Sequence, residues 1–159
     1  MILVTLGTIS YPFDRAIRWL EICLTNQVIL EPVFIQHGAT DVSPLIEHPL
    51  ITAKSTVPLD QWLELVNQSR LIISHAGQGS TRILAENHAS FFLLPRLSLY
   101  REHVDDHQAM FAQSIRHTGI TSCSTIEEFQ WLILNPPPAF KGNVFEGPRL
   151  ADYLLEKYS

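Results

Sequence analysis

Hydrophobic residues recur along the chain in two patterns, as short continuous runs and as longer stretches with helical spacing. The short runs predict strands at residues 2–6, 33–36, 50–53, 71–74, 90–94 and 119–123. The helical spacing predicts helices at residues 12–24, 58–66, 80–87, 105–117, 124–134 and 149–157. Because strands and helices alternate, the pattern predicts an α/β fold with a mostly parallel sheet and helices on both faces.

Capping signals refine two of the helix starts. Pro12 is placed where a first helical residue tolerates proline, with Ser10 or Tyr11 near the cap. Ser124 and Glu127 have the spacing of a capping box at the start of the fifth helix.

A run of three prolines at residues 136–138 divides the chain. We expect a ligand-binding domain at residues 1–134, a linker at 135–148 and a C-terminal helix at 149–159. That last helix either docks on a partner or folds back on its own sheet, and the sequence leaves both alternatives open.

A glycine-spaced turn at residues 74–80 joins the fourth predicted strand to the helix that follows it. The first amide groups of a helix have no acceptor within the helix, and together with the helix dipole they attract phosphates. Gly77 and Gly79 would let a ligand approach the backbone with no Cβ in the way. This turn therefore predicts an anion site.

Other short polar motifs follow other strands of the predicted sheet. They are Gly7-Thr8, Gln36-His37-Gly38 and residues 95–103, and the carboxyl ends of parallel strands meet at one edge. Neither glycine turn completes the dinucleotide fingerprint, and no lysine follows either turn as in a P-loop. His37 and His75 receive no catalytic role, because no serine or cysteine partner can be identified for them.

The second polar cluster is Glu102-His103-Val104-Asp105-Asp106-His107-Gln108. A helix would place His103 and His107 on one face, with Asp106 adjacent. The cluster is consistent with a metal site, a solvated helix start or a set of contacts to the hydroxyls of a sugar. Arg96, in the preceding loop, either neutralises a diphosphate or is a surface charge.

Composition narrows the function classes. The 159 residues are 46% hydrophobic and 17% charged, which is typical of a globular domain, and the net charge of −5 gives no support to nucleic-acid binding. Cys23 and Cys123 are expected to be reduced thiols. No apolar run approaches the roughly 20 residues that span a bilayer, so we expect a cytoplasmic protein that reaches a membrane only through a partner.

In their order along the chain, these motifs resemble the small catalytic subunit of two-part UDP-sugar glycosyltransferases, which is similar to the C-terminal domain of glycosyltransferase family 28. The resemblance covers about residues 1–119. The matching segments are Val4-Thr5-Leu6-Gly7-Thr8 with Pro12-Phe13-Asp14-Arg15, Gln36-His37-Gly38, residues 74–80, Pro95-Arg96 and residues 102–108.

The resemblance implies the Rossmann-like C-terminal half of a GT-B fold, which binds a UDP-sugar such as UDP-N-acetylglucosamine for polysaccharide or lipid-linked sugar synthesis. It implies no cofactor and no metal, inversion at the anomeric carbon, and a membrane-associated, acceptor-binding partner subunit that supplies the base. By resemblance, Gly7 and Thr8 face the diphosphate, residues 77–80 bind phosphate, and His107 and Gln108 contact the sugar. The expected UDP-sugar-binding residues are Gly7, Thr8, His75, Gly77, Gln78, Gly79, Ser80, Glu86, Arg96, His103, Asp106, His107 and Gln108.

One position departs from the family pattern. Ile83 stands where the family has a glutamate that holds the ribose hydroxyls, and the nearest carboxylate is Glu86, one turn later. Either Glu86 takes that role, or UDP binding is weakened or lost. The alternatives to a transferase subunit are a non-catalytic, partner-binding module on the same fold and a nucleotide-sugar epimerase or hydrolase.

Overall fold

The computed structural model describes residues 1–144 as an α/β domain with one six-stranded sheet. The strands are β1 (Ile2–Thr5), β2 (Val33–Gln36), β3 (Ile51–Lys54), β4 (Leu71–His75), β5 (Phe91–Leu94) and β6 (Thr121–Ser122). The helices are α1 (Asp14–Thr25), α2 (Leu59–Gln68), α3 (Gln78–Glu86), α4 (His107–Ser114) and α5 (Ile126–Leu134), with 3₁₀ turns at Ser98–Tyr100 and Arg116–Thr118.

The sheet has the strand order β3-β2-β1-β4-β5-β6, and every pairing is parallel. This is the Rossmann order, whose switch point lies between β1 and β4. The predicted α/β fold is therefore confirmed. In such sheets the crevice for ligands lies outside the carboxyl ends of the strands at that point.

Two apolar layers hold the helices on the sheet because successive strand residues point to opposite faces. Ile2 and Val4 of β1 pack in the layer that contains α1 and α5, whereas Leu3 packs in the layer that contains α2, α3 and α4. Phe129 of α5 meets the rings of Phe92 and Trp19 at centroid distances of 5.7 and 5.4 Å. Nearly continuous apolar strands are what a sheet covered on both faces requires.

Several predicted boundaries were wrong. Helix α1 begins at Asp14 after Phe13, whose amide donates to Thr40 Oγ1, rather than at Pro12. The capping box of α5 uses Thr125 and Glu128, one residue later than predicted. Strand β6 is shorter than predicted because a 3₁₀ turn continues to Thr118 and closes at Gly119 with φ +92°.

The described part of the predicted linker lies against the end of the sheet. The amide of Phe140 donates to Ala89 O, and the hydroxyl of Ser90 donates to Pro137 O. The predicted helix at 149–159 and linker residues 145–148 lie outside the described residues. Cys23 and Cys123 are buried free thiols, and burial raises the pKa of each to about 12. Within residues 1–144, each helix is too short or too polar to cross a bilayer.

Candidate functional site

A cavity of about 330 Å³ lies at the carboxyl ends of β1 and β4, where the strand order reverses. Its polar lining comes from the ends of β1, β2 and β4 and from the start of α3: Thr5, Gly7, Thr8, Gln36, His75, Gly77, Gly79 and Ser80. Its apolar lining is Ile9, Val57, Leu59, Trp62 and Ile83. The topology thus brings together residues that the sequence separates.

The start of α3 opens onto this cavity. Gly77 is the N-cap residue, no side chain caps the helix, and its first turn contains no acidic residue. The first backbone bond into the helix runs from the amide of Thr81 to Gly77 O at 3.0 Å. The amides of Gln78, Gly79 and Ser80 precede that bond, so they form the helix end that attracts anions.

The glycines of the site differ in what occupies the space where a Cβ atom would lie. A Cβ on Gly77 would lie 2.3 Å from His75 Cε1, and a Cβ on Gly7 would lie 2.9 Å from the same ring. A Cβ on Gly79 would meet no atom within 4 Å. The expectation that Gly77 admits a ligand is therefore corrected, because that space holds the His75 ring. The opening beside the backbone is at Gly79.

The turn after β1 is held in a left-handed conformation, with φ +79° at Gly7. Gln36 fixes it, since its Nε2 donates to Gly7 O at 3.1 Å and to Ser55 O at 2.9 Å, and its Oε1 accepts from Thr5 Oγ1. A Cβ on Gly38 would lie 2.3 Å from Gly7 O. Gln36 and Gly38 therefore shape the Gly7 turn.

Gln108 determines the protonation of His75. Its Oε1 accepts from the amides of Ala76 and Arg96, both at 3.1 Å, so its Nε2 is the atom that faces His75 Nδ1 at 3.2 Å. An amide nitrogen only donates, so Nδ1 accepts and the ring proton sits on Nε2. Nε2 lies 3.3 Å from Ser80 Oγ, which accepts that proton and can donate its own to a ligand.

The His75 ring is neutral at physiological pH. Burial, followed by the charges of Arg96 and His103, lowers the pKa of His75 to about 4. A neutral ring in the Nε2–H form serves the site as a fixed donor beside the start of α3.

Gln108 and Arg96 have roles different from those expected. Gln108 is buried behind His75 and supports the cavity without lining it, so its contact with a sugar stays a prediction. Arg96 is 1% exposed, and its guanidinium donates to the carbonyls of Leu6, Tyr11 and Glu102. Arg96 is thus neither a surface charge nor part of the cavity lining.

A buried ion pair was missed at the sequence level. Arg15 donates from Nε and Nη2 to the two carboxylate oxygens of Glu102, at 2.9 and 2.8 Å, and both side chains are at least 95% buried. In the sequence, Arg15 lies between the apolar positions of α1, where a charge usually faces water. The pairing residue is far away in the chain, so local pattern could not reveal it.

The cluster at residues 103–107 is a turn and not one helical face, because α4 begins only at His107. The carboxylate of Asp105 lies 2.9 Å from His103 Nδ1 and 2.7 Å from His107 Nδ1. Asp106 Oδ1 accepts from the amide and hydroxyl of Ser98, both at 2.9 Å. Such side-chain bonds to the local backbone compete with helix formation.

These residues do not line the cavity in this structure. Within residues 1–144, no three His, Cys, Asp or Glu side chains form a group suited to a metal ion. Glu86 is the last residue of α3 and lies outside the cavity lining, as does His37, whose Nδ1 lies 2.9 Å from Thr40 O. Of the thirteen predicted site residues, the cavity lining includes Gly7, Thr8, His75, Gly77, Gly79 and Ser80.

Comparison with known proteins supports the fold. No protein-family model matches the sequence, and no curated protein is significantly similar to it. The structure is similar to the crystal structure of the glycotransferase of kitacinnamycin, with a TM-score of 0.56 and 12% sequence identity. The alignment covers 84% of this chain and 34% of that one, so the present chain spans about a third of its length. At this identity, the similarity establishes a shared fold.

Proposed function

We propose that this chain is the donor-binding part of a UDP-sugar-dependent glycosyltransferase that acts on a lipid-linked or polysaccharide-precursor acceptor. The observation that carries the proposal is the uncapped start of α3, which opens into a cavity at the switch point of the sheet. A diphosphate placed there would accept from the amides of Gln78, Gly79 and Ser80. The fold shared with a glycotransferase supports the same assignment.

In the proposed reaction, a hydroxyl oxygen of the acceptor attacks the anomeric carbon of the donor sugar. The bond from that carbon to the diphosphate oxygen breaks, and UDP leaves with the electron pair. The start of α3 stabilises the charge that develops on the diphosphate, and the Ser80 hydroxyl donates to it. A base takes the acceptor proton, and we assign that base to a partner.

We propose a membrane-associated partner that binds the acceptor. The observation that supports it is that the cavity lining contains no acidic or basic side chain other than His75 among the described residues. The ring of His75 is already engaged with Gln108 and Ser80, which leaves it without the free nitrogen that a general base needs. We propose a cytoplasmic location, with membrane contact through this partner.

Isothermal titration calorimetry with UDP tests the donor-binding role on the chain itself. We expect saturable binding of UDP, and we expect Ser80→Ala to weaken it at least about tenfold, the effect of one hydrogen bond to a charged group. Ser114→Ala is the matched control, because Ser114 is exposed at the end of α4 and bonds only Phe111 O among the contacts described. It should leave the affinity unchanged.

Two other outcomes correspond to the alternative functions. A folded chain that does not bind UDP would indicate a non-catalytic, partner-binding module. Turnover of UDP-N-acetylglucosamine by this chain alone, detected as free sugar or as an epimer, would indicate a hydrolase or epimerase. The transferase proposal expects the nucleotide sugar to remain intact until the partner and acceptor are added.

A further inference from the structure

We infer that the cavity does not recognise the ribose 2′-hydroxyl, so that 2′-deoxynucleoside diphosphates bind at least as tightly as ribonucleoside diphosphates. This inference rests on the proposed function and extends its donors to deoxynucleoside-diphosphate sugars. The evidence is the type of side chain that lines the cavity beyond the start of α3, and the hydrogen bonds that its polar side chains already make.

The wall next to the anion position is apolar. Ser80 and Ile83 both line the cavity, and residues three apart lie on one face of a helix. A phosphate at the first amides of α3 therefore places its attached sugar beside Ile83, less than one turn of about 5.4 Å along the helix. Val57, Leu59 and Trp62 continue the same wall.

Rossmann dinucleotide sites read the ribose 2′-hydroxyl with an Asp or Glu carboxylate. No Asp or Glu is among the described residues that line this cavity. Two of its polar side chains are engaged with each other, because Thr5 Oγ1 donates to Gln36 Oε1 while Gln36 Nε2 donates to two carbonyls.

His75 is engaged as well, through Gln108 on one nitrogen and Ser80 on the other. A site that hydrogen-bonds a hydroxyl strongly rejects the analogue that lacks it, whereas an apolar wall gains nothing from that hydroxyl. The apolar side chains of Val57, Leu59, Trp62 and Ile83 therefore offer the ribose no hydrogen bond, and removal of the 2′-hydroxyl should cost no affinity.

The test compares the Kd values of UDP and 2′-deoxy-UDP by calorimetry on the wild-type chain and on Ile83→Glu. The measured quantity is the ratio of the two Kd values, because a new carboxylate repels both diphosphates equally and changes each Kd alone. We expect the wild type to bind 2′-deoxy-UDP as tightly as UDP or more tightly. We expect Ile83→Glu to shift the ratio towards UDP by about tenfold, as one charged hydrogen bond provides.

Ile46→Glu is the matched control, since Ile46 is exposed and lies outside the cavity lining. It should keep the wild-type ratio. Ile83→Gln gives the same comparison with a neutral acceptor should Ile83→Glu fail to fold. A wild-type preference for UDP above about threefold overturns the inference and leaves the donor-binding role intact. If neither nucleotide binds, both the inference and the proposed function are wrong.

Discussion

At the scale of single residues, the two glycines at the start of α3 have separate tasks. A Cβ on Gly77 would lie 2.3 Å from His75 Cε1, and the ring cannot retreat because Gly7 backs it and Gln108 holds it. A Cβ on Gly79 would enter open space. Gly77 therefore leaves space for the His75 ring, and Gly79 keeps the backbone accessible to a ligand.

We predict opposite effects for alanine at these positions. Gly77→Ala should lower the free energy of unfolding by about 1–3 kcal/mol, the usual cost of overpacking. Gly79→Ala should raise it by about 0.5–1 kcal/mol, because alanine favours a helix, yet weaken UDP binding by about tenfold by blocking the backbone. Urea denaturation and calorimetry measure the two quantities.

Equal loss of stability in both variants would contradict the division of tasks between the glycines. Unchanged UDP affinity in Gly79→Ala, with stability preserved, would show that the anion does not approach at this point.

The sequence was sufficient to locate the glycine turn but not what occupies it. The run from Ser74 to Ser80 has a local signature, because a short strand, small residues and a helix follow one another. The contact of Gly7 with the ring of His75 depends on β1 and β4 being neighbours in the sheet. Likewise, the burial of Arg96 contradicts the usual position of charged residues.

At the scale of elements, side-chain bonds to the backbone decide where helices begin. Helix α4 was expected from Asp105, but the His107 amide donates to Asp105 Oδ1 and the Asp105 amide to His103 Nδ1, so the helix begins later. Within residues 1–144, the six strands and five α-helices were each predicted to within a few residues, because hydrophobic spacing reports which face is buried. Hydrophobic spacing does not show which polar side chain accepts a hydrogen bond from a backbone amide at the start of a helix.

Helix α5 offers a direct test of this point. Thr125 Oγ1 accepts from the amide of Glu128, and the Glu128 carboxylate accepts from the amide of Thr125. We predict that Thr125→Ala lowers the free energy of unfolding by about 1 kcal/mol, the cost of losing an N-cap. Urea denaturation monitored by circular dichroism measures it.

The control is Ser124→Ala, at the position that the sequence suggested as the cap. Ser124 keeps its amide bond to Glu128 when its hydroxyl is removed, so we expect a change within about 0.5 kcal/mol. A larger loss of unfolding free energy in Ser124→Ala than in Thr125→Ala would indicate that Ser124 is the N-cap, as the sequence predicts.

At the scale of the whole molecule, the alternation of strands and helices is enough to predict the parallel sheet. It does not predict the contacts that hold the loop after β5 against α1. Two buried guanidinium groups, of Arg15 and Arg96, lie 5.4 and 4.6 Å from the ring centroid of Phe13. Burial lowers the pKa of Arg96 to about 10, so it remains charged at neutral pH. Glu102 is the buried carboxylate that faces them, bonding Arg15 through its side chain and Arg96 through its carbonyl.

Glu102 therefore links the loop after β5 to α1 and balances charge between them. We predict that Glu102→Gln lowers the free energy of unfolding by about 3–5 kcal/mol, because breaking a buried ion pair leaves its partner's charge uncompensated. Equilibrium urea unfolding at neutral pH measures the change. The substitution nearly preserves volume, so the loss reports the charge and its hydrogen bonds.

Glu31→Gln provides the control at a partly exposed carboxylate, which pairs with the 43% exposed Arg70 and with the N-terminal amine. We expect a change of at most about 1 kcal/mol there, since water screens these charges. Similar losses in the two variants would mean that the buried carboxylate is no more important than a surface one. A loss several times larger at Glu102 would show that one residue of a distant loop holds α1, and with it the end of β1 that forms the cavity.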